Sequence, residues 1–218
     1  MWVRLASATD PDAEAYAVHM PLDASPEMYT EHDRASERSH TMAETLSAFN
    51  LKRWIDEHRD LLQPPVGAEM IWKDSQFIIM VIGGPNARRD FHSDPGDEFF
   101  YQLEGDMVLE YIDVAGKRQR ATIREGDVLL LPAHTPHSPQ RPAHTVGLVV
   151  ERVREPQEPE GYAWYCERCD TKFYALSRGE GDILLELRQV SQEFNASEAL
   201  RTCTACGYVQ PVPTGPRL

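Results

Sequence analysis

The stretch Gly84-Pro85-Asn86-Ala87-Arg88-Arg89-Asp90-Phe91-His92-Ser93-Asp94-Pro95-Gly96-Asp97-Glu98 sets a histidine and a glutamate on either side of a Pro-Gly turn. A hairpin closed there lets His92 and Glu98 face each other. A second stretch runs from Gly126 through the apolar Leu129–Leu131, Pro132 and His134 to His137 and Arg141. It delivers another imidazole at the end of a later strand. Two imidazoles and one carboxylate converging from neighbouring hairpins make a three-ligand face. Such a face suits iron(II), because it leaves open positions on the metal for substrate and oxygen. Arg88, Asp90 and His92 share strand parity, so an extended backbone points all three to one side, with Arg89 on the other and facing solvent.

Around this centre the pattern is that of short strands. Met70–Trp72, Phe77–Ile82, Glu98–Leu103, Met107–Ile112, Arg120–Ile123, Val128–Leu131 and Val146–Glu151 are apolar runs separated by Gly, Asp, Asn and Pro turn signals. So many short strands in so little chain predict a mainly β fold, an antiparallel sandwich or barrel. Before them, Asn50 is a candidate N-cap for a short helix. Leu51, Trp54, Ile55, His58 and Leu62 follow at helical spacing up to Pro64-Pro65. Residues 1–46 are rich in Asp, Glu, Ser and Ala and carry no sustained periodicity. They read as an acidic extension, partly ordered at best, although Met20-Pro21-Leu22 and Met28-Tyr29 can dock locally. The barrel is expected over 47–155 and a separate tail, packed on it, over 156–218.

Composition narrows the function classes. The chain has 218 residues, 41% of them hydrophobic, enough for one full-sized core and a small appendage. A formal net charge of −13 argues against nucleic acid as a partner, since phosphates call for a basic face. No apolar run reaches the length of a membrane span and no signal-peptide pattern opens the chain, so a cytoplasmic protein is expected. The four cysteines fall in two Cys-x-x-Cys pairs, Cys166/Cys169 and Cys203/Cys206. Paired knuckles of this kind close four thiolates around one structural ion, rubredoxin-like, with iron and zinc both admissible.

The two stretches resemble the paired motifs of the cupin family, at Gly84, His92, Glu98 and Gly105, then at Gly126, Pro132 and His137. They depart from it at Asp90, where a first histidine would stand, at His134 in place of Gly, and at Arg141 in place of Asn. With those departures the chain is similar to 3-hydroxyanthranilate 3,4-dioxygenases of the bacterial type. The likeness is carried by 83–92, by Glu98-Phe99-Phe100-Tyr101-Gln102-Leu103, by His137-Ser138-Pro139-Gln140-Arg141-Pro142, by Arg53–His58 with Pro64-Pro65-Val66, and by the four-cysteine tail. It runs from about Phe49 to Gly207.

The resemblance implies a cupin barrel with Fe(II) on His92, Glu98 and His137, and a substrate whose amine and phenol oxygen chelate that iron. Arg88 and Arg141 would clamp the substrate carboxylate, a role for which guanidinium forks are well shaped. Glu151 would be the catalytic acid–base group that takes the phenol proton. Asp90 would orient a neighbouring ligand or Arg88. Both atoms of O2 would enter the product, 2-amino-3-carboxymuconate 6-semialdehyde, a quinolinate precursor in tryptophan catabolism (the kynurenine pathway) and NAD biosynthesis. A homodimer is likewise implied. One position stands out: the family usually carries Asn where this chain has Ala68, after Pro65-Val66-Gly67. That raises two alternatives, a relative cleaving a substituted aminophenol carboxylate and a non-catalytic cupin that binds an aromatic acid.

Overall fold

The computed structural model of the chain describes residues 47–64, 67–72, 75–155, 157–178 and 183–214. The extension 1–46 and Pro65-Val66 lie outside the described residues. Asn50 caps the first helix, α1 (Leu51–Glu57), its extended backbone letting the side chain accept from the Arg53 N–H at 2.9 Å. The helix stops before the proline. After Glu57 the chain tightens into successive i→i+3 turns, with Leu61 N–H on His58 C=O and Leu62 N–H on Arg59 C=O. These bring Leu62 down beside Ile55 onto Val81 and Val146. Gly83 permits that approach, because a Cβ there would lie 2.0 Å from the Leu62 carbonyl oxygen.

Among the described residues eleven strands follow: β1 (Ala68–Met70), β2 (Phe77–Gly83), β3 (Asp90–Ser93), β4 (Glu98–Glu104), β5 (Met107–Ile112), β6 (Arg118–Ile123), β7 (Val128–Leu131), β8 (His137–Gln140), β9 (Val146–Arg152), β10 (Glu160–Tyr165) and β11 (Lys172–Arg178). Then come α2 (Ile183–Ala196) and α3 (Glu198–Arg201). One sheet has the order β1-β2-β9-β4-β7 and the other β11-β10-β3-β8-β5-β6, every pairing antiparallel. Met80, Ile82, Phe100, Leu131 and Val149 of the first sheet pack on Met107, Leu109 and Ile123 of the second. The chain is thus the mainly β, two-sheet barrel that the strand pattern predicts.

Six of the seven runs expected from sequence correspond to β2, β4, β5, β6, β7 and β9, while Met70–Trp72 meets β1 only at Met70, the strand lying earlier in the chain. β3 and β8 are four residues each and largely polar, too short to show a period. β10 lies past the expected boundary at residue 155, yet it hydrogen-bonds β3 inside the second sheet. Its Glu160, Tyr162 and Trp164 are all buried. α2 covers that part of the sheet, stacking Phe194 on Trp164 at 4.2 Å and adding Leu187 and Val190. Among the described residues no helix is long and apolar enough to cross a membrane.

Candidate active site

β3 and β8 are joined by one register pair, His92 opposite His137. Glu98 opens β4 on the facing sheet and reaches between them. Its Oε1 lies 3.5 Å from His92 Nε2 and 3.3 Å from His137 Nε2. All three side chains are buried, and both Nε2 atoms lack any hydrogen-bond partner among the described residues. His137 Nδ1–H donates to the Thr135 carbonyl at 3.0 Å, which fixes the ring with Nε2 toward Glu98. Burial, then the neighbouring His137, pushes His92 down to about 4, so its ring is neutral. Burial would raise Glu98, but His137 and His92 hold its carboxyl well below the ordinary range. Two imidazoles and a carboxylate, with ligand atoms within 4.8 Å of one another, form a set that fits a divalent metal. Orphaned nitrogens in such a place are costly unless a cation takes them.

The two arginines differ. Arg88 donates to Asp90 Oδ2 through Nη2 and Nε, and its Nη2 lies 3.2 Å from His92 Nδ1. Asp90 is buried and held ionised against burial by that guanidinium. Arg141 is buried too, but makes no ion pair among the described residues. Its one side-chain bond is from Nη1 to the Gln102 amide oxygen at 3.1 Å. Burial, then repulsion from Arg88, lowers it to about 10. Gly147 makes the room, since a Cβ there would stand 2.6 Å from Arg141 Nη1. A desolvated guanidinium with no anion beside it among the described residues can pair with a carboxylate in two places.

Glu151, on β9, is the register partner of Glu98. It is buried, its Oε2 has no partner among the described residues, and burial, then repulsion from Glu98, Asp94 and Glu160, drives its carboxyl well above the usual range.

The family model for 3-hydroxyanthranilic acid dioxygenase matches residues 42–195 of the chain. The chain belongs to the 3-hydroxyanthranilic acid dioxygenase family. A relative from Bacillus thuringiensis, named 3-hydroxyanthranilate 3,4-dioxygenase, is 47% identical over 174 residues, 80% of this chain and 97% of that protein. One of the same name from Xanthomonas oryzae is 49% identical over 165 residues, 76% of this chain and 93% of that protein. Among solved structures, a cupin-2 domain protein from Shewanella frigidimarina aligns at 15% identity and a TM-score of 0.38, over 45% of this chain and 92% of that one.

Within this member of the dioxygenase family, the departures from the cupin motifs have local causes. Asp90 faces Arg88 and not the triad. His134 is exposed with φ 61°, the left-handed conformation a motif glycine would adopt; His144 is exposed as well, at φ 63°. Arg89 points away and pairs with Glu167. The four cysteines gather into one cluster, Cys166 Sγ 3.6 Å from Cys206 Sγ and Cys169 Sγ 3.7 Å from Cys203 Sγ. Those separations are too long for disulfides and close to the about 3.8 Å edge of a tetrahedron with 2.3 Å metal–sulfur bonds. Each knuckle repeats the same turn: Asp170 N–H bonds Cys166 C=O and Gly207 N–H bonds Cys203 C=O, both donors at positive φ.

Sequence reasoning missed four buried contributors: Asp94, Gln102, Gly147 and Glu160. Glu160 shares parity with Tyr162 and Trp164, two and four residues on, a signal of burial but not of what the carboxyl meets.

Proposed function

We propose that the chain is an Fe(II)-dependent, extradiol-type ring-cleaving dioxygenase acting on 3-hydroxyanthranilate and giving 2-amino-3-carboxymuconate 6-semialdehyde. The observation that carries the substrate class is Arg141, a buried guanidinium without a carboxylate partner in the described structure, in the same interior as the triad. An aromatic acid supplies the missing anion. His92, Glu98 and His137 would hold the iron, and Cys166, Cys169, Cys203 and Cys206 a second, structural ion, iron or zinc. When bound, ferrous iron supplies Lewis acidity toward the aminophenol and redox chemistry toward oxygen.

The chain's own residues do the rest. Arg141 binds the carboxylate, and Arg88, kept in place by Asp90, adds a second positive charge. Glu151 takes the phenol proton on its unpartnered Oε2. Positive charge in the triad lowers its proton affinity toward neutrality, where a carboxylate takes and returns protons well. The apolar wall that includes Phe100, whose ring centroid lies 5.9 Å from that of His137, keeps bulk water out. Both oxygen atoms of O2 enter the product, so no other reductant is consumed.

Ala68 favours a second reading, a relative that prefers a ring-substituted 3-hydroxyanthranilate. An anaerobic protein loaded with iron(II), given a panel of aminophenol carboxylates and then oxygen, tests both. Appearance of the ring-opened chromophore with 3-hydroxyanthranilate supports the first reading. Turnover of substituted acids alone supports the second, and binding without turnover overturns both.

A further inference from the structure

Glu160 lies at the start of β10, fully buried, on the face shared with Tyr162, the register partner of His92. Its two oxygens are treated differently. Oε2 accepts from Arg154 Nη1 at 3.0 Å and from the Tyr162 hydroxyl at 2.8 Å. Among the described residues Oε1 has no hydrogen-bond partner, and it lies 4.0 Å from His92 Nε2, itself without one. A buried carboxylate oxygen left bare is costly unless a donor or cation meets it. The anchoring is also tied to the triad: Arg154 Nε lies 3.9 Å from Asp94 Oδ2, in the turn that leads to Glu98.

We infer that Glu160 is a positioning residue of the metal centre, its free Oε1 accepting a hydrogen bond from a water molecule bound to the metal beside His92. The inference rests on the reading of His92, Glu98 and His137 as metal ligands. Arg154 and Tyr162 decide which oxygen is presented. They also decide what an amide would do there. In Glu160→Gln the carbonyl oxygen stays with the two donors at the Oε2 position, so the NH2 group faces the metal. Shape is kept while one atom changes from acceptor to donor.

The test uses manganese(II), which prefers oxygen and nitrogen ligands to thiolates, on full-length protein whose cysteine site is filled with zinc. Paramagnetic resonance and water-proton relaxation report affinity, symmetry and bound water. The parent is expected to bind one manganese ion that relaxes water, and Glu98→Ala none. Glu160→Gln should bind about ten- to a hundredfold more weakly, the usual effect of removing a partner behind a metal site, with an altered resonance spectrum. Tyr162→Phe, which removes one anchor and keeps the carboxylate, should shift both readouts the same way by less. Parent-like affinity and spectrum in Glu160→Gln overturn the inference. If that variant does not fold, parent-like behaviour of Tyr162→Phe overturns it. Equal manganese binding by the parent and Glu98→Ala would instead remove the triad reading itself.

Discussion

Glu98 and Glu151 stand directly opposite each other on β4 and β9, both buried, with their carboxyls driven in opposite directions. Glu98 lies between two imidazoles that favour its anion. Glu151 meets only burial and other carboxylates, with Arg154 a lesser opposing influence. One carboxylate is held as the anion and its neighbour as the acid, a division created by surroundings and not by residue type.

That division fixes a pH dependence. A carboxyl raised in the folded state binds its proton more tightly there than in the unfolded chain. Its contribution to stability therefore falls as pH rises above the ordinary carboxylate value. In the metal-free protein Glu151→Gln should raise the melting temperature at pH 7, with the gain shrinking toward pH 4. Turnover of the iron-loaded variant should drop about 10²–10⁴-fold, the usual worth of a general base, at unchanged iron content. A gain independent of pH would show that Glu151 is not held protonated.

His92→Ala, Glu98→Ala and His137→Ala should each abolish iron binding in the barrel and all turnover. Metal analysis has to separate the barrel from the cysteine cluster, so iron should be counted after the cluster is filled with zinc. Full activity in any of the three would exclude that residue as a ligand.

Arg141→Ala should cost about 2–5 kcal/mol in kcat/KM, the penalty for breaking a buried charged pair, and leave iron in place. Arg88→Ala should also lower activity, but through Asp90 as well, because that carboxylate then loses its cation. Gly147→Ala offers a subtler probe. Its added methyl displaces the Arg141 fork without touching the triad, so KM should rise while iron content holds. Equal handling of 2-aminophenol, which lacks the carboxylate, by the unmutated protein would count against the clamp.

The triad was legible because its residues sit in local motifs: a turn between His92 and Glu98, and a strand end at His137. Parity sufficed for Arg88 and Asp90. Gln102, Gly147 and Glu160 were not legible, since each matters only through a partner far along the chain. Arg141 meets Gln102 across 39 residues, and Glu160 meets His92 across a sheet pairing that the expected boundary at residue 155 separated. The short polar strands β3 and β8 escaped for a different reason, as four residues shared between ligand duty and pairing show no hydrophobic period.

Cys203→Ser should lower the melting temperature without removing the barrel iron, because a structural ion adds its binding free energy to the folded state. The effect should reach past the knuckle: Cys166 directly follows β10, so hydrogen exchange should quicken along Glu160–Tyr165. Unchanged stability with selective loss of turnover would point to a redox role for the cluster.

Ala68 bears on substrate choice. It opens β1, is buried, and packs in the barrel interior with Phe100, Leu131 and Val149, the same cluster whose Phe100 ring touches His137. Asn there donates and accepts hydrogen bonds, whereas Ala does neither and occupies less space. An apolar, roomier wall near the triad favours a methyl or halogen on the substrate ring, and one added methyl group in such a wall is worth about 1–3 kcal/mol, or 10–200-fold. The protein is therefore expected to turn over a methyl- or halogen-substituted 3-hydroxyanthranilate at least as well as the parent acid. Ala68→Asn should shift the preference back toward the unsubstituted acid, at some cost in stability because the cluster around it is apolar. Values of kcat/KM for both substrates, in both proteins, decide the matter. A strong preference for the unsubstituted acid, unmoved by Ala68→Asn, would show that this wall does not select the substrate.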